Sequence, residues 1–340
     1  MSGGMYMLCR RSMQIAGMAG ILWVQPALGA ELSAGAIIDR GNLGEVEDAT
    51  FEGRRIGDLL LPAQRQLITQ YGMQVQLARS RPIVVSPDVI EATEQHASKA
   101  ALDPQTRKVT GFVAGVAFPD LDPNDADIAL KLIWNQFYLA PVLGDVQEVS
   151  DITAYTVGAG DGIRRTQQLR GQQIRMEGRF SGGPATLGDG TVHKMQVDYF
   201  TGPRDIAGTG VFQIKYNDGR VDDVFAYVKT ARRIRRLSGG TWMDPTGALD
   251  FLNDDSFLFN SYPLWHEEYR YLGKRWMLAV VHQPLSESSD PRDRYDFDTP
   301  PHWNSKGLQF EPREVHVIEV VTPSVHPYSR KVLYMEADPY

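Results

Sequence analysis

From about residue 150 onward, polar and apolar residues alternate with a period of two, and this pattern restricts the fold more than any other feature of the sequence. Phe212, Ile214 and Tyr216 share one face, a turn follows at residues 217–219, and a return arm begins near Asp223. A tight turn between two alternating segments is typical of an antiparallel hairpin. The sequence therefore predicts long antiparallel strands over residues 151–340.

Two further strand pairs and three helices complete this prediction. One hairpin is predicted to pair residues 267–271 with 277–281, and another joins 315–321 to 332–334 through a loop at 323–327. Helices are predicted over residues 62–71, after Pro87 and over residues 126–137. Because the helical patterns do not alternate with the strands, we expect an α+β fold with one large, highly twisted antiparallel sheet and helices packed on one face.

The first 30 residues have the organisation of a cleavable export signal. Arg10 and Arg11 precede an apolar stretch at residues 13–24, and small residues follow at 27–30. The apolar stretch has about a dozen residues, whereas about 20 are needed to span a bilayer. Residues 1–30 are therefore predicted to be a signal peptide that sends the protein to the periplasm, by either the Sec or the twin-arginine route. A buried first helix is the alternative interpretation.

Charge and cysteine content narrow the possible functions. The net charge is −7, and removal of Arg10 and Arg11 leaves 33 basic against 42 acidic residues, a balance of −9. Nucleic acid is a poor partner for an acidic chain. The single cysteine, Cys9, precedes the apolar stretch, so we expect neither a lipoprotein nor, after cleavage, a disulfide or a thiolate metal site. Later segments contain no run of 18 apolar residues, which predicts a protein peripheral to the membrane at most.

Motifs for catalysis and metal binding are absent from the sequence. The seven histidines show no zinc-binding spacing, and neither a nucleophile elbow nor a phosphate-binding loop occurs. Asp250, Asp254 and Asp255 could form a calcium site, but without the twelve-residue loop spacing they are better explained as a solvated loop. We therefore expect a protein that is not an enzyme, with no catalytic residue, metal or cofactor; a hydrolase with an unrecognised site is the weakest alternative.

Aromatic residues are concentrated between Trp242 and Trp276, where about a quarter of the residues are aromatic, against 10% in the whole chain. Two interpretations stay open: a belt of core residues filling a twisted sheet, or the lining of a cleft for a lipid-like ligand. Under the second interpretation the predicted ligand-binding residues are Trp242, Phe251, Phe257, Phe259, Tyr269, Tyr271 and Trp276.

An arginine-rich segment comes just before these aromatics. On a strand, Arg232 and Arg236 face one way and Arg233 and Arg235 the other, so at most half of them can share a surface. They are either solvated and paired with cross-strand carboxylates such as Asp222 and Asp223, or they form a site for an acidic headgroup or a partner protein.

Five short motifs, taken in order, resemble a proteobacterial family of uncharacterised exported proteins described as outer-membrane lipoprotein-sorting-protein-like. The motifs lie at residues 115–119, 133–135, 230–236, 269–276 and 312–319. The resemblance runs from about residue 40 to the end. It implies one lipoprotein-carrier-like domain over residues 31–340: a mixed part at 31–150, then an antiparallel half-barrel at 151–340 with helices on its concave face. It also implies a setting beside resistance-nodulation-division exporters. It supplies no catalytic residues, and the C-terminal part of the family domain is expected to be missing.

The leading hypothesis is a periplasmic binding or carrier protein for a hydrophobic small molecule or lipid, such as an acyl chain, a sterol or a lipidated molecule, working with an envelope exporter. The second is an adaptor that docks to an exporter or outer-membrane protein and holds no ligand.

Overall fold

The computed structural model describes residues 29–140, 144–237, 241–245, 252–283, 290–302 and 304–338. Nearly all of the predicted signal peptide therefore lies outside the described residues. The described chain combines short helices with long strands. The α-helices are α1 (Leu43–Val46), α2 (Ile56–Leu59), α3 (Pro62–Tyr71), α4 (Pro87–His96) and α5 (Ile128–Leu139). Short 3-10 helices cover Ala97–Lys99, Thr241–Met243, Asn253–Leu258, Pro263–Trp265 and Pro291–Asp293.

The strands are short in the first part of the chain and long in the second. In chain order they are β1 (Ile37–Ile38), β2 (Thr50–Phe51), β3 (Arg54–Arg55), β4 (Val75–Leu77), β5 (Ala101–Leu102), β6 (Val109–Thr110), β7 (Val146–Gly158), β8 (Gly162–Arg175), β9 (Val192–Gly202), β10 (Gly210–Tyr216), β11 (Asp223–Val228), β12 (Arg233–Arg236), β13 (Glu268–Ala279), β14 (Tyr295–Asp296), β15 (Asn304–Ser305), β16 (Gln309–Val321) and β17 (Arg330–Glu336).

Strands β7 to β12 form an open antiparallel sheet in which each strand pairs with its neighbour in sequence. The predicted hairpin is confirmed, because Phe212 on β10 lies opposite Phe225 on β11 and their rings stack 6.4 Å apart. Most connections between neighbouring strands are short, as expected where alternating segments are separated by turns, but residues 176–191 form a longer connection between β8 and β9. The α+β class with a large antiparallel sheet is thus confirmed.

A second sheet has the order β1-β4-β16-β13, with β17 also paired to β16. Here one prediction is wrong: the expected hairpin between residues 267–271 and 277–281 is a single strand, β13, paired with β16 along its length. Gly273 has φ +97° and sits at a shift in register between the two strands. The glycine that suggested a turn accommodates a bulge instead, as glycine at positive φ commonly does.

Helix α5 is a buried helix that contacts both sheets. Nine of its twelve residues are buried, which is typical of a helix covered on all sides. Phe137 stacks on His193 of β9 with ring centroids 4.1 Å apart. Ile133 belongs to the same apolar cluster as Ile318 of β16. The predicted helix over residues 126–137 is confirmed, with its boundaries shifted by two residues.

Candidate functional site

An apolar depression among the described residues follows α5 and β17, and we call it the α5–β17 groove. It encloses about 580 Å³, within the usual range for ligand cavities. Its walls are residues 83–86, the α5 side chains Leu132, Asn135, Gln136 and Leu139, strand residues 332–336, and Val116, Ala140, Phe259 and Asp338. Most of these are aliphatic, so the groove offers a hydrophobic surface that is partly open to solvent.

Asn135 fixes one wall of the groove to the preceding loop. Its side-chain carbonyl accepts the Phe118 backbone N–H at 2.9 Å, and its amide group donates to the Phe118 carbonyl at 2.8 Å. Both halves of a buried amide are thereby satisfied, which removes the cost of burying it. The motif at residues 133–135 therefore positions α5 rather than supplying chemistry.

The motif at residues 115–119 has a related role beside α4. Gly115 has φ +79°, and a Cβ atom there would lie 2.5 Å from the Thr93 backbone nitrogen. The Thr93 hydroxyl accepts the Val116 N–H at 2.9 Å and donates to the Val89 carbonyl at 2.7 Å. Only glycine permits this close approach, which brings Val116 into the groove wall.

At the C-terminus of α5, a buried arginine from the six-stranded sheet binds the last carbonyl groups of the helix. The Arg175 guanidinium donates to the carbonyls of Tyr138 and Leu139, the latter at 3.0 Å. Carbonyls in the last turn of a helix lack intrahelical partners and attract cations. Burial lowers the pKa of Arg175 to about 10, a value at which it stays charged at neutral pH.

The face of the six-stranded sheet that carries Arg175 is unexpectedly polar. A row of four buried glutamines crosses four adjacent strands, each directly opposite the next: Gln147, Gln173, Gln196 and Gln213. The side-chain carbonyls of the first three have no hydrogen-bond partner within the described part of the chain. The apolar face with Phe212 and Ile214 is the more exposed one. A buried polar face of this kind is costly unless something compensates for it.

A second row on the same face consists of cations, with Arg175 opposite Lys194 and Lys194 opposite Lys215. Both lysines are almost fully buried. The Lys215 ammonium donates to Asp222 at 2.8 Å and to the Asn260 carbonyl at 2.7 Å. Burial, together with the charges of Lys215 and Arg175, lowers the pKa of Lys194 to about 7.

The aromatic residues predicted to bind a ligand do not lie together in the structure. Phe259 lines the α5–β17 groove. Trp242 is buried beside Trp265, His266 and His326, each at a ring distance of 5.4 Å. Phe251 lies outside the described residues, and Phe257 is on the 3-10 helix Asn253–Leu258. Of the described residues in this set, Phe259 alone lines the groove.

The other three aromatics lie on β13. Tyr269 and Tyr271 are half-buried against the apolar cluster behind the groove, and the Tyr271 hydroxyl lies 2.9 Å from His316 Nδ1. Trp276 packs against a separate core and has the Arg54 guanidinium 3.3 Å from its ring centroid. A role for these residues in ligand binding stays a prediction. The groove residues that were missed come from aliphatic segments near Val85, Leu139 and Leu333, which carry no distinctive motif.

The four arginines are all exposed. Arg233, Arg235 and Arg236 lie on β12, the edge of the six-stranded sheet, and Arg232 precedes it with φ +47°. Arg236 forms an ion pair with Asp223, as the solvated interpretation expects. Asp222 is instead buried with Lys215.

Asp254 contradicts the prediction of a solvated loop. It is fully buried and lies at the centre of what we call the Asp254 cluster: its carboxylate accepts hydrogen bonds from Lys331 and from His326 Nε2, the latter at 3.2 Å, and lies 3.6 Å from His266 Nε2. Burial alone would raise its pKa, but interactions with His266 and Lys331 outweigh this and hold the pKa well below its ordinary value. Asp250 lies outside the described residues.

Among the described residues, the same cluster contains a serine and a histidine within hydrogen-bond distance of each other. Ser261 Oγ lies 2.9 Å from His266 Nε2, the same nitrogen that faces Asp254, while His266 Nδ1 has no partner. A catalytic triad needs the acid on the opposite ring nitrogen. Ser261 is 1% exposed and lines none of the cavities described here. The arrangement holds segments together and presents no nucleophile to a substrate.

The matching family model carries the description "Protein of unknown function (DUF1329)" and covers residues 37–340. The chain belongs to the DUF1329 family. The resemblance inferred from the five motifs is therefore confirmed. No curated protein matches the chain.

Two solved structures are similar to this chain, each with a TM-score of 0.40. One is a Vibrio parahaemolyticus domain provisionally assigned to outer membrane lipoprotein sorting, 15% identical over 64% of this chain and 69% of its own. The other is a DUF1329 family protein from Desulfovibrio piger, 16% identical over 64% of this chain and 70% of its own.

The described residues contain neither a candidate membrane-spanning helix nor a clustered metal site. Among these residues, no helix has both the length and the apolar character needed to cross a membrane. The same residues bring no three His, Cys, Asp or Glu side chains together as a metal site.

Proposed function

We propose that this protein binds an extended hydrophobic molecule in the α5–β17 groove and carries it through the periplasm. The observation that supports this most directly is the groove itself, an aliphatic channel of about 580 Å³ beside a buried helix. Large exposed apolar surfaces on a soluble protein commonly mark binding sites. An acyl chain, a sterol or a lipidated molecule has the matching chemistry.

The groove can supply the affinity that a carrier needs. Burial of apolar surface contributes roughly 25 cal/mol per Å², so about 300 Å² of buried ligand would contribute about 7 kcal/mol before the costs of association. This corresponds to moderate binding, which suits a protein that must also release its cargo. Under this proposal the predicted export signal at residues 1–30 directs the protein to the periplasm, and an envelope exporter is the proposed source or destination of the cargo.

Substitution of Val85 by aspartate tests the proposal. Val85 is half-buried in the groove wall, and a carboxylate there would have to be desolvated against an apolar ligand, which costs at least the 1–3 kcal/mol typical of a neutral polar group. We expect Val85→Asp to weaken binding about 10- to 100-fold. Native mass spectrometry of the purified protein measures the fraction that retains a co-purified lipid.

Val325→Asp is the matched control, because Val325 is 75% exposed and does not line the groove. Trp276→Ala separates the groove from the aromatic residues predicted from sequence. Equal ligand loss in Val85→Asp and Val325→Asp, or a wild-type protein that is always empty, would rule out the groove as the site. Ligand loss in Trp276→Ala alone would favour the second core instead.

A docking function is the second candidate, and the exposed edge strand β12 favours it. Among the described residues Arg233 and Arg235 form no ion pair, and Ile234 between them is 70% exposed. Because side chains alternate along a strand, the two guanidinium groups lie on one face and Ile234 lies on the other. Exposed guanidinium groups on an edge strand can bind the carboxylates of an acidic partner.

Charge reversal at Arg233 and Arg235 tests this second function. We expect the double change to glutamate to reduce capture of an exporter or outer-membrane partner at least 10-fold in crosslinking of intact cells. Arg164→Glu is the matched control, since Arg164 is an exposed arginine on β8, in a different part of the same sheet. Capture that is unchanged in the double variant would exclude β12 as the docking strand.

A further inference from the structure

Strand β7 is an edge strand of the six-stranded sheet, and its second half lines a depression that is separate from the α5–β17 groove. We call this space the β7–β14 depression; it encloses about 590 Å³. Tyr295 of β14 and the nearby Phe297 line one side. Alternate residues of β7 line the other side: Asp151, Thr153, Tyr155 and Val157.

A bulge in β7 determines which of its side chains point into this depression. Val149 and Ile152 lie opposite β8 residues that are only two positions apart, so β7 contains one extra residue between them. Because side chains alternate along a strand, an extra residue reverses which of them faces each side. Gln147, before the bulge, lies on the buried polar face. Thr153 and Tyr155, after the bulge, therefore lie on the outer face.

Asp151 lies within this bulge and has φ +60°, a backbone conformation that residues other than glycine rarely adopt. A residue held in such a conformation is often found at a functional position. The Asp151 side chain is exposed, and it forms no ion pair with another residue that the structure describes. Arg170, on the neighbouring strand, pairs with Glu148 instead. The bulge thus presents an unpaired carboxylate at the depression.

Three aromatic rings line the same depression. The Phe297 ring centroid lies 5.6 Å from that of Tyr155 and 6.0 Å from that of Tyr295, with the ring planes tilted by 35° and 43°. Phe297 is 8% exposed and packs its segment against β7, whereas Tyr295 is 38% exposed and keeps an accessible ring surface. A cation is attracted to a ring when it lies within about 6 Å of the centroid. One cation can therefore contact two of these rings at once.

We propose that the β7–β14 depression binds a quaternary ammonium group, with its methyl groups against the aromatic rings and its charge facing Asp151. Such a group is held by cation–π attraction and apolar contact, which is what the rings offer. A metal ion such as Ca²⁺ fits less well, because it needs six to eight oxygen ligands and the described wall is mainly aromatic. The net charge of −7 also attracts cations to the protein.

Choline and its neutral isostere 3,3-dimethylbutan-1-ol test the proposal, because the two molecules differ in charge and hardly in shape. Ligand-observed NMR of the nine equivalent methyl protons measures the Kd of each for the full-length mature protein. We expect choline to bind at least about 10-fold more tightly at low ionic strength, since the rings and the carboxylate both favour the cation. Co-sedimentation with phosphatidylcholine vesicles distinguishes a lipid headgroup, which would retain the protein, from a free solute, which would not.

Asp151→Asn and Tyr295→Ala locate the site. Asparagine tolerates a positive φ, so Asp151→Asn removes the charge with little effect on the backbone, and we expect choline affinity to fall about 3- to 10-fold. Tyr295→Ala should cause a loss of about the same size, while Tyr295→Phe keeps the ring and should retain most of the affinity. Asp205→Asn, which removes an exposed carboxylate between β9 and β10, is the control and should leave choline binding unchanged.

Three results would overturn the inference. Equal affinity for choline and the alcohol would show that the positive charge is not recognised. Unchanged choline affinity in both Asp151→Asn and Tyr295→Ala would place the cation elsewhere, and Asp151→Asn decides this alone if Tyr295→Ala does not fold. Absence of choline binding to the wild-type protein would reject the site. Lipid retention in the α5–β17 groove should be equal in all variants, because the two spaces share no described residue, so failure here leaves the proposed function standing.

Discussion

Asp254→Ala is expected to lower the free energy of unfolding by about 3–5 kcal/mol, because it leaves the buried Lys331 ammonium without its innermost partner. Lys331 is the second residue of β17 and donates to both Asp254 and Asp255, the latter at 2.6 Å. Asp254 is fully buried, so its side of the ammonium group is shielded from bulk solvent. Urea denaturation of the mature protein measures the loss.

Asp255→Ala is the matched control, since Asp255 binds the same ammonium group but its side chain is 31% exposed. Exposed ion pairs contribute about 0–1 kcal/mol, so we expect a loss below about 1 kcal/mol. Comparable losses in the two variants would mean that burial does not distinguish the two carboxylates, contrary to the cluster described here.

The depressed pKa of Asp254 also predicts the direction of pH dependence. A carboxyl whose pKa is lower in the folded than in the unfolded state adds stability above its unfolded value, about 4, and loses that contribution as pH falls toward the folded value. Wild-type stability should therefore fall below pH 4 more steeply than that of Asp254→Asn. Urea midpoints of both proteins between pH 3 and 7 measure the difference, and parallel curves would contradict the assignment.

Asp254 shows why the local sequence could predict strands β10 and β11 but not the buried Asp254 cluster. The alternation of polar and apolar residues predicted β10 and β11, because the pattern that defines the two faces of a hairpin lies in neighbouring residues. The partners of Asp254 are His326 and Lys331, more than 70 residues away. The Asp-rich segment resembled a solvated loop because nothing in it indicates a distant buried cation.

The lack of a local signal also explains why β13 was predicted as a hairpin and why the groove residues were not predicted. Gly273 has a positive φ in both a turn and a bulge, so the residue alone cannot distinguish them. The groove was missed because its walls come mainly from three separated segments of ordinary aliphatic residues, near Val85, Leu139 and Leu333, with Val116 and Phe259 added from two others. Aromatic enrichment was a real signal, but most of those described residues pack into cores.

The buried polar face of the six-stranded sheet could not be predicted from sequence, because the prediction depends on which side of the sheet α5 covers. Alternation correctly separated Phe212 and Ile214 from Gln213 and Lys215, and a soluble sheet usually buries the apolar set. Here α5 covers the polar set, through the stacking of Phe137 on His193. This inversion is what buries Lys194 and Lys215.

Trp134→Ala tests whether α5 is the element that shapes the groove. Trp134 is 1% exposed, its ring lies 5.4–5.6 Å from those of Tyr262, Tyr138 and Phe137, and its indole N–H donates to the Arg107 carbonyl at 3.1 Å. Removal of a buried tryptophan typically costs 3–5 kcal/mol, and we expect a loss of that size in urea denaturation.

Ligand retention should fall with stability in Trp134→Ala, although Trp134 does not line the groove, because the opposite side of the same helix carries Leu132, Gln136 and Leu139 into its wall. Trp134→Phe keeps a large ring and loses the hydrogen bond to Arg107, so its loss should be about 1–3 kcal/mol. Trp276→Ala, which removes a half-buried indole from the other core, is the control: it should destabilise the protein without emptying the groove. Full ligand retention in a folded Trp134→Ala protein would mean that the position of α5 does not govern binding, and the site would then have to be sought away from this helix.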